Sequence, residues 1–229
     1  MDKIILAEKP HLAIQGEGVT TNKKMLLLRV FGCPLRCSDC DSKQSWSDQN
    51  AEYDQKSFYK MIKKNLKKFN TNHILLTGGE PGIYISFLTE FFQEYQNDTE
   101  WKWDIETSGF YDLTELYAWE SDIQFNFSPK IGALPPEKPY EIEGLKNLPM
   151  NYIIKVVTEK DTFSNDLEAI KQLKEKFDLE DIRIYLMPKG IDKKTITKQS
   201  KWIIKKIAKL PYEFSSRQHI LLYGNKKLV

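Results

Sequence analysis

Cysteine is scarce in this chain: three residues among 229, all between positions 33 and 40. An odd number leaves one thiol over, and so tight a cluster argues for metal ligation or catalysis rather than a disulfide framework. Histidine is equally scarce, and neither His11, His73 nor His219 stands at the spacing that completes a zinc finger with those thiols. Long apolar runs are missing too. None approaches the ~18 residues of a membrane span, and MDKIILAEKPH lacks the apolar core and cleavage site of a secretory signal. A cytoplasmic protein is the expectation. Nor is there an excess of one charge: 34 basic residues against 32 acidic leave a formal +2, which gives no reason to expect a nucleic-acid partner. The basic stretch KKNLKKF, 63–69, accordingly reads as the solvated face of a helix. No internal repeat and no low-complexity tail interrupts the chain.

What is present is alternation. Short apolar runs separated by segments of helical period are the pattern of βα units around a mainly parallel sheet. Strands are expected at 25–31, 73–77, 102–107, 122–128, 152–157 and 182–187. Helical stripes run through Phe58, Met61, Ile62, Leu66 and Phe69, and through Tyr84, Phe87, Leu88, Phe91, Phe92 and Tyr95. A third stripe holds Leu167, Ile170, Leu173 and Phe177 behind a cap at Ser164 or Asn165, and a fourth helix is expected over about 195–209. The proline-rich segment 131–149 forms a loop. A length of 229 suits one α/β domain with a shared core.

The thiols, spaced C-x3-C-x2-C, directly follow the first core strand, so the loop 32–42 lies at its carboxyl end, where parallel βα folds gather their active sites. A structural zinc ion requires four ligands. Three thiolates on an iron–sulfur cubane leave one iron open to a small molecule. Both readings stand on the residues alone, and the cubane explains the odd ligand number.

That loop resembles the signature of the radical S-adenosylmethionine (SAM) enzymes, and six strands match their partial (β/α)6 barrel. IQGEG at 14–18, Arg29, CDS at 40–42, TGGEP at 77–81, ETSG at 106–109, SPK at 128–130, YLMPKG at 185–190 and LLYGNKK at 221–227 occur in the order found in the 7-carboxy-7-deazaguanine synthase family. The resemblance implies a ring contraction of 6-carboxy-5,6,7,8-tetrahydropterin to 7-carboxy-7-deazaguanine with loss of ammonia, a lyase step of 7-deazapurine (queuosine-type) biosynthesis. It implies a 4Fe-4S cluster on Cys33, Cys37 and Cys40, SAM on the open iron, and Mg2+ on Ser42. The radical chemistry then belongs to the cluster and SAM, not to a catalytic side chain.

Carried over motif by motif, SAM would meet Asp39 and Asp41 of the cluster loop, then Gly78, Gly79 and Glu80 of the glycine turn. Glu106, Ser128, Pro129 and Lys130 follow at strand ends, and Met187, Pro188, Lys189 and Gly190 close that set. The pterin would be held by Ile14, Gln15, Gly16 and Glu17, by Thr77, by the C-terminal Val229, and by Arg29. An arginine in LLLRVF needs an anionic partner if buried, and its fork suits the substrate carboxylate. A flavodoxin or ferredoxin electron donor and a homodimer are the family's expectation.

The match departs in three places. Asp39 stands where relatives carry an aromatic residue, LMPK replaces a common QPM, and QTHK survives only loosely in RQHILLYGNKK, leaving the roles of His219 and Tyr223 open. Two rival readings are a glycyl-radical-enzyme activase, which shares the cysteine spacing but needs no pterin pocket, and a non-catalytic zinc-binding module.

Overall fold

A computed structural model describes residues 2–38, 40–130, 142–180 and 182–224. In chain order its strands are β1 (Ile4–Leu6), β2 (His11–Ile14), β3 (Lys24–Val30), β4 (Ala51–Tyr53), β5 (His73–Gly78), β6 (Lys102–Thr107), β7 (Ile123–Phe127), β8 (Tyr152–Thr158), β9 (Ile184–Pro188) and β10 (Glu213–Phe214). The helices are α1 (Gln55–Phe69), α2 (Ile85–Tyr95), α3 (Phe163–Phe177), α4 (Lys193–Ile207) and α5 (Gln218–Tyr223).

One sheet runs β10-β9-β8-β7-β6-β5-β3-β1-β4, with β2 also on β3. From β3 through β10 along that order every pairing is parallel, while β1 and β2 lie antiparallel on the free side of β3. The six strands expected from the sequence, with the two-residue β10 added at the edge, form the parallel run, an open, partial barrel. Their helix-facing residues, among them Leu26, Leu28, Ile74, Leu76, Trp103, Ile105, Phe125 and Phe127, are fully or almost fully buried against the helices. That double-sided burial is why parallel strands read as nearly continuous apolar runs. The aromatic stripes of α1 and α2 interlock there: Phe58 meets Phe91 edge-on at 5.1 Å, and Phe92 packs against Trp103 at 5.0 Å. Lys63, Lys64, Lys67 and Lys68 are exposed, as a solvated helix face requires.

Local chemistry sets the helix starts. Asp54 accepts from Ser57 N at 2.7 Å to cap α1, and Asp192 accepts from Thr195 N at 2.9 Å to cap α4. The cap expected for α3 at Ser164 or Asn165 is corrected to Thr162, which makes no side-chain cap bond. Instead Asp166 accepts from the hydroxyls of Thr158 at 2.6 Å and Thr162 at 2.7 Å. After β6 the chain makes only a 3-10 helix, Thr114–Trp119, so the βα alternation is incomplete there. Of the proline-rich loop, 131–141 lies outside the described residues, and Glu143–Leu145 is a short 3-10 turn.

The apolar segment at 219–223 belongs to the helix α5. Ile220 is buried while Leu222 is 59% exposed, so the run covers one side only, and Gly224 at φ 63° ends it.

Candidate active site

Residues that are neighbours across parallel strands point to the same face. Register pairs Leu27 with Leu75 and Leu75 with Asp104, then, two residues further along the strands, Arg29 with Thr77. Glu106 pairs with Asn126, and Lys155 with Tyr185. On this inner face Met25, Leu27 and Leu75 fill the amino end. Toward the carboxyl end the face turns polar, and it collects Arg29, Thr77 and Glu106 of the sequence-derived set.

The cluster loop opens at the end of β3. All three cysteines are free, Cys37 buried and Cys33 and Cys40 half-buried. Burial pushes the Cys33 thiol up to about 11, opposed by the Leu35 N–H and reinforced by the charges of Glu80, Cys37 and Cys40. Burial also raises Cys40. Among the described residues no three Cys, His, Asp or Glu side chains close around a single metal ion. His11 faces Glu8, His73 sits at the amino end of β5, and His219 lies beside Glu17, so none joins the thiols. Three sulfur donors on one short loop, with no fourth ligand beside them among the described residues, fit an iron–sulfur cluster with an open corner better than a closed zinc site.

The glycine turn is packed under that loop. Gly79 N donates to Val30 O at 2.9 Å and Glu80 N to Gly32 O at 2.8 Å. A Cβ on Gly79 would overlap the Gly32 carbonyl, so the second glycine is demanded by the contact between the two loops. Gly78, at φ 114°, occupies a conformation that side chains resist. Glu80 is fully buried and saturated: its carboxylate accepts from Thr107 Oγ1 at 2.6 Å, Ser108 N at 2.8 Å, the Ser108 hydroxyl and Gly82 N at 3.0 Å. That carboxylate ties the β5 turn to the β6 turn.

Arg29 donates through Nε to Glu8 Oε1 at 2.9 Å and through Nη1 to Ser42 Oγ at 2.8 Å. Glu8 is an internal anionic partner that the sequence did not reveal. It does not consume the guanidinium, whose fork brings Arg29 beside Ser42. Ser42 Oγ donates to Asp41 Oδ1 at 3.0 Å, and Ser42 N donates to Cys40 Sγ at 3.4 Å.

The IQGEG segment turns into the barrel. Gln15 caps Gly16 N and Glu17 N through Oε1 and donates through Nε2 to Glu106 at 3.3 Å and Asp104 at 3.4 Å. Gly16 allows α5 to approach, since a Cβ there would strike His219. Glu17 accepts from Lys155 Nζ at 2.9 Å and Arg217 Nε at 3.1 Å, and Lys155 also grips Glu106. Ile14 stands apart: it pairs with Lys24 at the amino end of β3, because β2 runs antiparallel. Gln15 and Glu17 are correspondingly engaged by the protein itself.

No sequence motif points to this buried network or to its members Asp104, Lys155 and Arg217, nor to Ser215, whose hydroxyl accepts from Gly18 N at 2.8 Å. Lys155 is 1% exposed. Burial opposes its charge, but Glu106 and Glu17 together hold its pKa above the usual lysine value. Burial would raise Glu17, yet Lys155 and Arg217 outweigh it and hold the carboxyl well below its ordinary range. Glu106 goes the other way, raised by burial and by the charge of Glu17 against the pull of Lys155. Asp104, raised by burial, accepts from the Thr20 hydroxyl.

At the remaining strand ends, Ser128 N donates to Thr107 O at 2.7 Å and Lys130 Nζ to Ser128 Oγ at 3.0 Å, with Pro129 buried between them. Met187 and Pro188 are buried in β9. Lys189 turns outward to Glu159 at 3.0 Å, whereas the Gly190 carbonyl accepts from Arg217 Nη1 at 3.1 Å. Asp39 and Val229 lie outside the described residues.

Comparison with known proteins matches residues 14–124 to the family described as "4Fe-4S single cluster domain". The 7-carboxy-7-deazaguanine synthase of Buchnera aphidicola subsp. Schizaphis graminum is 35% identical over 137 residues, covering 52% of this chain and 58% of that protein. The chain thus spans little more than half of that relative's length. Those of Pyrobaculum aerophilum and Rhodopirellula baltica align far more fully: 26% identity over 94% of this chain and 93% of that protein, and 23% over 97% and 88%. Among solved structures, QueE from Escherichia coli superposes with a TM-score of 0.70 at 20% identity, covering 95% of both chains. Streptococcus suis SuiB bound to S-adenosylmethionine gives 0.53 at 15%, covering 84% of this chain and 50% of that one. At those identities both establish the fold.

Proposed function

Because the chain belongs to the 7-carboxy-7-deazaguanine synthase family of radical SAM enzymes, we propose that it converts 6-carboxy-5,6,7,8-tetrahydropterin to 7-carboxy-7-deazaguanine with loss of ammonia, as one catalytic domain. The observation that carries this reading is a juxtaposition: a three-cysteine loop seated on the glycine turn of β5, beside Arg29 and Ser42 at the polar end of the barrel.

Cys33, Cys37 and Cys40 would hold three irons of a 4Fe-4S cluster and leave the fourth to SAM. When bound, cluster and SAM would supply the radical hydrogen-transfer chemistry on which the ring contraction depends. The protein's part is placement and exclusion of water. The backbone of Gly78 and Gly79, with Ser128 and Lys130, lines the approach to the cluster loop. Arg29 presents its fork to the substrate carboxylate, already oriented by Glu8. Ser42 and Asp41 offer oxygen donors for Mg2+, a hard cation that keeps few protein ligands when substrate oxygens and water complete its shell. Lys155 and Glu106 form the charged floor beneath the ring. A flavodoxin or ferredoxin donor, a homodimer and a cytoplasmic setting belong to the same reading. Among the described residues no helix is long and apolar enough to cross a membrane.

The test is turnover. Anaerobically reconstituted protein with SAM, reductant, Mg2+ and 6-carboxytetrahydropterin is expected to yield the deazapurine and ammonia with SAM recovered. Absence of product, or capture of a large polypeptide whose glycyl radical it generates, overturns the assignment.

A further inference from the structure

Arg217 is 8% exposed and joins three segments far apart in the chain. Nε donates to Glu17 Oε1 at 3.1 Å, Nη1 to the Gly190 carbonyl at 3.1 Å, and Nη2 to Asp41 Oδ2 at 2.6 Å. The first partner lies in the turn after β2, the second follows β9, and the third directly follows the last cysteine. A planar fork fixes two carboxylates and a carbonyl at once, which a lysine ammonium on its flexible stem does not do. Asp41 passes the constraint on: its other oxygen accepts from Ser42 Oγ, and Ser42 N donates to Cys40 Sγ. Hydrogen bonds to cluster sulfurs tune both their placement and their potential.

We propose that Arg217 is a positioning residue that, through Asp41, sets the cluster loop against the turn carrying Glu17. For its consequence in catalysis this rests on the function proposed above, but the placement itself does not. A simpler role, neutralising buried Glu17 alone, predicts different behaviour, because Lys155 also pairs with Glu17 whereas Asp41 forms its ion pair with Arg217.

The experiment compares Arg217→Ala, Arg217→Lys, Asp41→Asn and the Arg217→Ala/Asp41→Asn double variant. In cluster-free protein, amide exchange over 36–45 is expected to quicken roughly tenfold in Arg217→Ala and Asp41→Asn, the size expected for one lost charge-assisted hydrogen bond. Exchange over 85–95 stays unchanged, the lysine variant recovers little, and the double variant adds nothing to either single one. In reconstituted protein the electron paramagnetic resonance of the reduced cluster with SAM shifts alike in both single variants. The proposal is overturned by exchange within twofold of wild type, by quickening that spreads equally to 85–95, or by full recovery with lysine. The exchange readout needs neither cluster nor pterin. A wild type that fails to turn over carboxypterin would therefore sink the assigned activity and leave this result standing.

Discussion

Lys155 Nζ lies 2.9 Å from Glu17 Oε2 and also grips Glu106, in the interior of the partial barrel where the lysine is 1% exposed. A charge so placed is tolerable only because both carboxylates are present. Removing it leaves Glu106 buried without its counter-ion. Lys155→Met is expected to lower stability by about 3–5 kcal/mol, since breaking one side of a buried pair costs far more than the pair contributes. Urea unfolding monitored by circular dichroism measures it; a loss under about 1 kcal/mol would show that the network is solvated.

The same pair fixes a pH dependence. Glu17 has its folded-state pKa held below the ordinary value of 4.5, with burial opposing and Lys155 and Arg217 prevailing. Its contribution is complete above that unfolded-state value and is lost as pH falls toward the depressed one. Glu106, raised by burial, has the opposite sign and offsets part of the loss. Glu17→Gln is expected to be less stable than wild type at pH 7, with the gap narrowing below about pH 4.5. A gap that stays constant to pH 3 would contradict the ionised Glu17.

Gly79 leaves no room for a side chain, because a Cβ would overlap the Gly32 carbonyl oxygen and lie 2.6 Å from its carbon. Gly79→Ala must part the glycine turn from the cluster loop, breaking the Gly79–Val30 and Glu80–Gly32 bonds. The expected result is iron incorporation reduced several-fold and a clear loss of thermal stability. Normal iron content at normal stability would show that the two loops are not in contact.

Arg29 sits between Glu8 and Ser42. Arg29→Lys keeps the charge but loses the fork, so KM for the carboxypterin should rise about tenfold or more, with a smaller effect on kcat. An unchanged KM would remove Arg29 from the substrate site and leave it a structural partner of Glu8.

Much of this architecture was legible in the sequence. The six parallel strands show as short, nearly continuous apolar runs because they are buried on both sides, and the stripes of α1 and α2 follow from one covered face. β1, β2, β4 and β10, at two to four residues, are too short for periodicity to show. The argument applied to Arg29, a charge inside an apolar strand that needs a partner if buried, applies equally to Asp104 in KWDIET and Lys155 in YIIKVV, so these two were within reach. Arg217 was not: its partners Glu17 and Asp41 lie 200 and 176 residues away, a pairing that only the closed chain reveals. Glu80 shows the reverse limit. Its motif was plain, but its hydrogen bonds to Thr107 and Ser108 assign the carboxylate to the scaffold.

The central claim is a cluster with one iron that no protein ligand holds, and Mössbauer spectroscopy of protein reconstituted with 57Fe tests it most directly. A four-iron cluster in which a single iron changes its isomer shift when SAM is added, and which Cys37→Ala cannot assemble, is the result predicted. Four irons indifferent to SAM, or a colourless protein saturated by one zinc ion, would contradict it.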